Sequence, residues 1–120
     1  MIKVLTKIDG KFGLDQMSLE MAIVDYLVKI GVTGDAEVSL VVVGKEKMRQ
    51  ISTKYKKQLG DTGLVVHEVL AFPLGLEESP WNADGVKRLG DIVLLYPQTQ
   101  QKLEELAVHA CEHLVGINHD

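Results

Sequence analysis

The sequence lacks the features of secreted and membrane proteins. It holds a single cysteine, Cys111, which excludes an internal disulfide bond and suits a reducing compartment. No apolar run is as long as the roughly 18 residues that a membrane span needs. The first residues, MIKVLTKIDG, do not contain the long apolar stretch of a signal peptide. We therefore expect a cytoplasmic protein with no membrane partner.

Internal repeats, low-complexity tracts and linkers are also missing, which favours a single domain over residues 1–120. A chain of this length can bury roughly two-thirds of its unfolded surface, which is enough for one core. The composition, with 46% hydrophobic and 25% charged residues, is that of an ordered globular protein.

Apolar periodicity predicts alternating strands and helices. Runs rich in β-branched residues indicate strands at IKVLT, Glu37–Val43, HEVLAFP and Gly90–Tyr96. Helical spacing predicts three helices, which run from an N-cap at Ser18 to Ile30, from Lys45 to Tyr55, and from Pro97 to about Gly116. In the first helix, the apolar residues that recur at this spacing are Met21, Val24, Leu27 and Val28.

These elements predict an α/β (α+β) fold with a small, mostly four-stranded mixed sheet and helices packed on it. We expect the last helix, over about residues 97–115, to pack centrally on that sheet.

Charge is unevenly distributed along the chain. The net charge is −4, which by itself disfavours a nucleic-acid partner. Between Lys45 and Lys57, however, a single acidic residue accompanies six basic ones: Lys45, Lys47, Arg49, Lys54, Lys56 and Lys57. This basic segment is either a solvated helix face or a surface that holds a phosphate backbone.

Three of the four histidines fall in the last twelve residues, HACEHLVGINHD. On a helix, His109 and His113 are one turn apart on the same face, which is the commonest way for a helix to present two imidazoles to one metal ion. Gly116 can end the helix in a left-handed conformation and let the chain return His119 to the pair. The pattern predicts a zinc-like ion on the C-terminal helix and the following turn, with one coordination position open.

Other interpretations of this segment are possible. The histidines could be ordinary surface residues. The metzincin frame needs a Glu where Ala110 stands, and HACEH fits an inverted zinc-peptidase motif with Glu112 as base. Such enzymes take their third ligand from much further along the chain, and seven residues follow His113. A metal site without peptidase chemistry is therefore favoured, with Cys111 a buried apolar residue.

Four segments resemble, in order, motifs of the YbeY family of bacterial rRNA maturation factors. HACEHLVGINH resembles the signature H-G-x-L-H-L-x-G-Y-D-H in its three histidines, Leu114 and Gly116. Upstream, MRQISTKYKK resembles L-N-x-x-Y-R, HEVLAFP resembles T-D-V-L-S-F-P, and LGDIVL resembles L-G-D-I-x-I. Several residues depart from the pattern; among them, Lys56 stands in place of Arg, and Ala110 and Glu112 stand in place of Gly and Leu.

The resemblance implies a zinc-dependent, single-strand-specific endoribonuclease that matures the 3′ end of 16S rRNA and acts in ribosome quality control. One zinc ion per chain would be held by His109, His113 and His119, and would activate water or polarise a phosphodiester oxygen. Lys56 would contact a phosphate, and Glu112 would act as a base or as a hydrogen-bond acceptor behind the ligands. The basic segment would hold the backbone of single-stranded RNA, and the ribosomal subunit would be the partner.

Two alternatives stay open from the sequence. The chain could be a non-catalytic ribosome-assembly or RNA-binding factor whose metal is structural, or a metal-dependent hydrolase of unknown substrate. The sequence predicts no oligomeric state.

Overall fold

The computed structural model describes residues 1–55, 67–73 and 86–116. Within these residues it contains four strands, β1 (Ile2–Asp9), β2 (Ala36–Val43), β3 (Val69–Phe72) and β4 (Lys87–Leu95), and three helices, α1 (Gln16–Lys29), α2 (Lys45–Lys54) and α3 (Gln100–Leu114). The predicted α+β class is confirmed.

The four strands form one mixed sheet in the order β1-β2-β4-β3. Strands β1, β2 and β4 are parallel, and β3 runs antiparallel to β4 with Phe72 opposite Asp91. The register between β2 and β4 shifts by one residue beside Gly90, so that the ladder is locally irregular there. The mixed four-stranded sheet is the one predicted from the sequence.

Two apolar clusters cover the two faces of this sheet. One face of the central strand β2 is apolar along its whole length, whereas the other carries Glu37 and Ser39 first and becomes apolar only toward its end, at Val41 and Val43. The larger cluster joins α1 and α3 to one face, through residues that include Leu19, Ile23, Leu40, Ile92, Leu103 and Ala107. The smaller cluster lies on the other face, under α2, and comprises Val43, Met48, Leu70, Phe72, Val93 and Leu95.

Helix α1 differs from the prediction in its cap and its buried face. Its N-cap is Asp15, whose side chain accepts a hydrogen bond from the backbone N–H of Ser18, so Ser18 is not the cap. The residues that pack into the core are Leu19, Ile23 and Leu27. The predicted face was wrong in part, because Met21 and Val28 are exposed, together with Met17.

The start of α3 also differs from the prediction. The helix begins at Gln100 with Thr99 as its N-cap, and Pro97 lies before it. The side chain of Gln100 donates to the carbonyl oxygen of Asp15 and accepts from its backbone N–H. This pair of hydrogen bonds joins the first turns of α1 and α3.

Among the described residues, no helix combines the length and the apolar composition needed to cross a bilayer.

Candidate metal centre

Helix α3 is anchored by one face and presents the other to solvent. Leu103, Ala107, Ala110 and Leu114 are buried in the larger cluster, whereas His109 and His113 are exposed. The helix ends as predicted, with Gly116 in the left-handed region at φ +78°. Anchoring one face fixes the axial position and the rotation of the helix, so the two imidazoles stand on a rigid base.

The two imidazoles meet through their Nε2 atoms. Nε2 of His109 lies 3.3 Å from Nε2 of His113, and the rings are nearly perpendicular, at 84°. For a tetrahedral zinc ion with Zn–N bonds of about 2.0–2.1 Å, two ligand nitrogens are about 3.3–3.4 Å apart. The pair therefore has the separation of two ligands of one zinc ion, and two neutral imidazoles suit that metal chemically.

Glu112 lies beside the other nitrogen of His109. Its Oε2 atom is 3.4 Å from Nδ1, one turn along the same helix. The Glu112 side chain is only 20% exposed, whereas that of His109 is 54% exposed. On α1, the pKa of Tyr26 is raised, mainly by burial and secondly by the negative charge of nearby Glu112.

Cys111 is not part of the site. It is fully buried in the larger cluster, as predicted from its position on the helix. Burial, with the charge of Glu112 as a smaller cause, raises the pKa of the Cys111 thiol to about 12. The buried sulfur is out of reach of a metal ion or a substrate on the solvent-facing side of the helix, where the two imidazoles lie.

Some of the predicted site residues fall outside the described ranges. These are His119, Lys56 and Lys57. Within residues 1–55, 67–73 and 86–116, no group of three potential ligands is close enough to hold a metal ion. The structure thus brings His109 and His113 together and leaves the position of the third predicted ligand untested.

Helix α2 carries the described part of the basic segment. Lys45, Lys47, Arg49 and Lys54 are all exposed, while Met48 is buried on the opposite side of the helix. Arg49 pairs with Glu46 at 3.3 Å, and the Lys54 ammonium lies 5.3 Å from the centroid of the Tyr55 ring. Helices α2 and α3 pack on opposite faces of the sheet, so the basic residues and the histidines belong to different layers.

The ends of the two helices nevertheless converge at one end of the sheet. The Tyr55 ring, just after α2, packs edge-on against Phe72 at 5.3 Å between centroids. A Cβ atom added at Gly90 would lie 2.3 Å from the carbonyl oxygen of Phe72 and 2.9 Å from Cδ2 of Leu114. The last residues of α2 and of α3 therefore lie at the same end of the sheet, on its opposite faces, and we call it the Phe72–Gly90 end.

The structural role of Phe72 and Gly90 was not predicted from the sequence. Both residues occur in segments that were predicted as strands and matched to family motifs, HEVLAFP and LGDIVL, but the close approach of the two residues was not predicted. The available signal was the glycine inside an otherwise apolar strand pattern, which commonly marks a bulge or a close backbone approach.

Comparison with known proteins gives matches to one named family. A family model described as Endoribonuclease YbeY matches residues 9–120. A protein named Endoribonuclease YbeY from Moorella thermoacetica is 33% identical over 105 residues, which cover 75% of this chain and 64% of the relative. Proteins of the same name from Bacillus velezensis and a Synechococcus species are 32% and 30% identical, with 64% and 63% of the relative covered.

The chain thus spans just under two-thirds of the length of these curated relatives. The match of the family model extends from the end of β1 to the last residue of the chain and includes all four motif segments. On this evidence the chain belongs to the YbeY family.

Proposed function

We propose that the protein is a zinc-dependent endoribonuclease that cleaves single-stranded RNA in the maturation of the 3′ end of 16S rRNA, and that it acts in ribosome quality control in the cytoplasm. The observation that carries this proposal is the 3.3 Å separation of the two histidine Nε2 atoms on a helix of a YbeY-family chain. That separation suits two ligands of one zinc ion.

His109, His113 and His119 would hold the ion. When bound, zinc supplies Lewis acidity toward a phosphodiester oxygen and lowers the pKa of water. The contribution of the protein is positional: the buried face of α3 fixes the imidazoles, and the residues beyond Gly116 carry the third one. Because metal binds the neutral form of an imidazole, affinity should decrease as the histidines become protonated.

The RNA backbone would contact the basic segment. The ammonium groups of Lys45, Lys47 and Lys54 project from α2, and Lys56 follows at the point where the family motif has Arg. Lysine offers one point charge where arginine offers a planar fork, so Lys56 would contact one phosphate oxygen at a time. Lys54 is in the last turn of α2, near the end of the sheet where α3 also ends, so RNA held on α2 would come nearest to the histidine helix at the Phe72–Gly90 end.

The experiment is cleavage of a single-stranded oligoribonucleotide by the purified protein, together with its zinc content. We expect about one zinc per chain, cleavage of the single strand, and resistance of the same sequence when it is annealed to its complement. His113→Ala should lose both zinc and cleavage. Gln101→Ala changes an exposed residue of the same helix and should retain both.

Two results would replace the proposal. A protein that binds zinc and RNA but cleaves no RNA is a non-catalytic factor with a structural metal, and its expected partner is the ribosomal subunit. A protein that binds zinc and hydrolyses small esters but not RNA is a hydrolase of another class. Cleavage that survives in His113→Ala would remove the metal from the mechanism.

A further inference from the structure

The contact between Glu112 and His109 gives Glu112 a more specific role than that of a general base. We propose that Glu112 is a positioning residue, which fixes the tautomer and the ring orientation of His109 so that its Nε2 lone pair is available to a metal ion. This inference rests on the proposed function in one respect: the group that Nε2 of His109 binds is taken to be a metal ion.

The argument begins with the two nitrogens of His109. A neutral imidazole carries its proton on one nitrogen and a lone pair on the other, and the hydrogen bond made by one nitrogen decides which it is. Nδ1 lies 3.4 Å from Oε2 of Glu112, and Nε2 lies 3.3 Å from Nε2 of His113. A carboxylate only accepts hydrogen bonds, so it selects the tautomer with the proton on Nδ1.

The position of Glu112 makes this selection effective. Its contact with His109 spans three residues of one helix, so the backbone already holds the two side chains within reach. The separation of 3.4 Å is slightly longer than an ordinary hydrogen bond, so the proposed bond requires the two atoms to approach by a few tenths of an ångström. Because the side chain is only 20% exposed, water competes weakly for the carboxylate.

The same geometry argues against the base role. A general base must be within hydrogen-bond distance of the proton it removes. The Glu112 carboxylate is on the Nδ1 side of His109, while the two nitrogens suited to the metal are on the Nε2 side. A carboxylate behind a ligand histidine orients the ring and raises its basicity.

The tautomer can be measured without any metal. In the ¹⁵N-labelled protein, at a pH well above the ordinary pKa of histidine, long-range proton–nitrogen correlations identify the protonated ring nitrogen. We expect His109 to carry its proton on Nδ1 in the wild type. In Glu112→Leu it should shift toward the proton on Nε2, whereas Glu112→Gln, whose amide oxygen still accepts, should resemble the wild type.

Metal affinity is the second measurement, with cobalt(II) titrated by absorbance and zinc by competition. Loss of such a partner typically weakens metal binding by about 10- to 100-fold, which we expect for Glu112→Leu. The control is Glu105→Gln, which removes an exposed carboxylate of the same helix. This variant should change the metal affinity by about 2-fold or less. The comparison separates the effect of orienting the His109 ring from the effect of removing a negative charge nearby.

The outcomes distinguish this inference from the proposed function. If Glu112→Leu keeps the wild-type tautomer, or keeps wild-type affinity in a protein that binds zinc, the positioning role is wrong and the zinc site stands. If the wild type binds no zinc, the proposed function fails, while the tautomer of His109 still decides the role of Glu112. A loss of affinity in Glu112→Gln equal to that in Glu112→Leu would assign the effect to charge and overturn the inference.

Discussion

Neighbouring residues of α3 have very different chemical environments, because a helix turns each successive side chain by about 100°. His109 and His113 face solvent, Cys111 is enclosed by apolar side chains, and Glu112 is at the boundary. A reactive thiol two residues from each of the proposed zinc ligands would compete for the metal. Burial prevents this, since it disfavours the thiolate.

Cys111 should therefore be inert in the folded protein. Its raised pKa, about 12, leaves almost no thiolate at neutral pH, and the buried sulfur is also inaccessible to reagents. We expect an aromatic disulfide reagent to label the native protein only as fast as it unfolds, and to label the urea-denatured protein at once. Rapid stoichiometric labelling under native conditions would contradict the buried position.

At the scale of elements, the close packing at the Phe72–Gly90 end depends on one glycine. Gly90 has φ +133°, which side-chain-bearing residues rarely adopt, and its missing Cβ leaves room for Phe72 and Leu114. Strand β3 has only four residues, so it depends on its pairing with β4 in this region.

Replacement of Gly90 by alanine should destabilise the protein by about 2–5 kcal/mol, of which backbone strain contributes about 1–3 and overpacking a similar amount. The measurement is urea unfolding. Gly13→Ala is the matched control, because no atom lies within 4 Å of the added Cβ and its φ is ordinary. Equal stability of the two variants would show that β3 and α3 do not pack as described.

The helices and strands were predictable from the sequence, whereas the orientation of α1 was not. Two apolar stripes run along this helix, one through Leu19, Ile23 and Leu27 and the other through Met17, Met21 and Val28. Periodicity cannot decide between two apolar stripes, because both repeat with the period of a helix. Packing decides, and it buries the stripe that contains leucine and isoleucine.

The site was predictable to a similar extent. The spacing of His109 and His113 was sufficient to predict a shared face, since helix geometry alone determines it. The contact of Glu112 with Nδ1 depends on side-chain rotamers, for which spacing gives only an approximate guide. The convergence of α2 and α3 depends on the order of the strands, which brings together residues far apart in the sequence.

At the scale of the whole molecule, positive charge on one helix of an acidic protein should dominate RNA binding. We expect the triple variant Lys45→Gln/Lys47→Gln/Lys54→Gln to bind single-stranded RNA more weakly. The dependence of log affinity on log salt should become less steep by about 0.7 for each phosphate that a lysine no longer neutralises. The measurement is fluorescence anisotropy across a salt series.

The matched control removes three exposed lysines outside α2: Lys11, Lys29 and Lys87. It changes the net charge equally, so it should lower the affinity only slightly and leave the salt dependence nearly unchanged. If the two triple variants behave alike, RNA does not bind at α2.

The position of β1 at the end of the sheet order has a consequence for self-association. Among the described residues no strand pairs with the outer side of β1, and an unpaired strand edge can template the addition of another chain. On one face of β1, Lys3 and Lys7 are on either side of Leu5, which is 50% exposed. Charged lysines at such an edge oppose strand-to-strand assembly, since each added copy would bring like charges together.

We expect Lys3→Thr/Lys7→Thr to form larger particles by light scattering at high concentration, whereas Lys11→Thr/Lys29→Thr should remain dispersed. These two lysines would then keep the protein soluble without contributing to its fold or to its metal site.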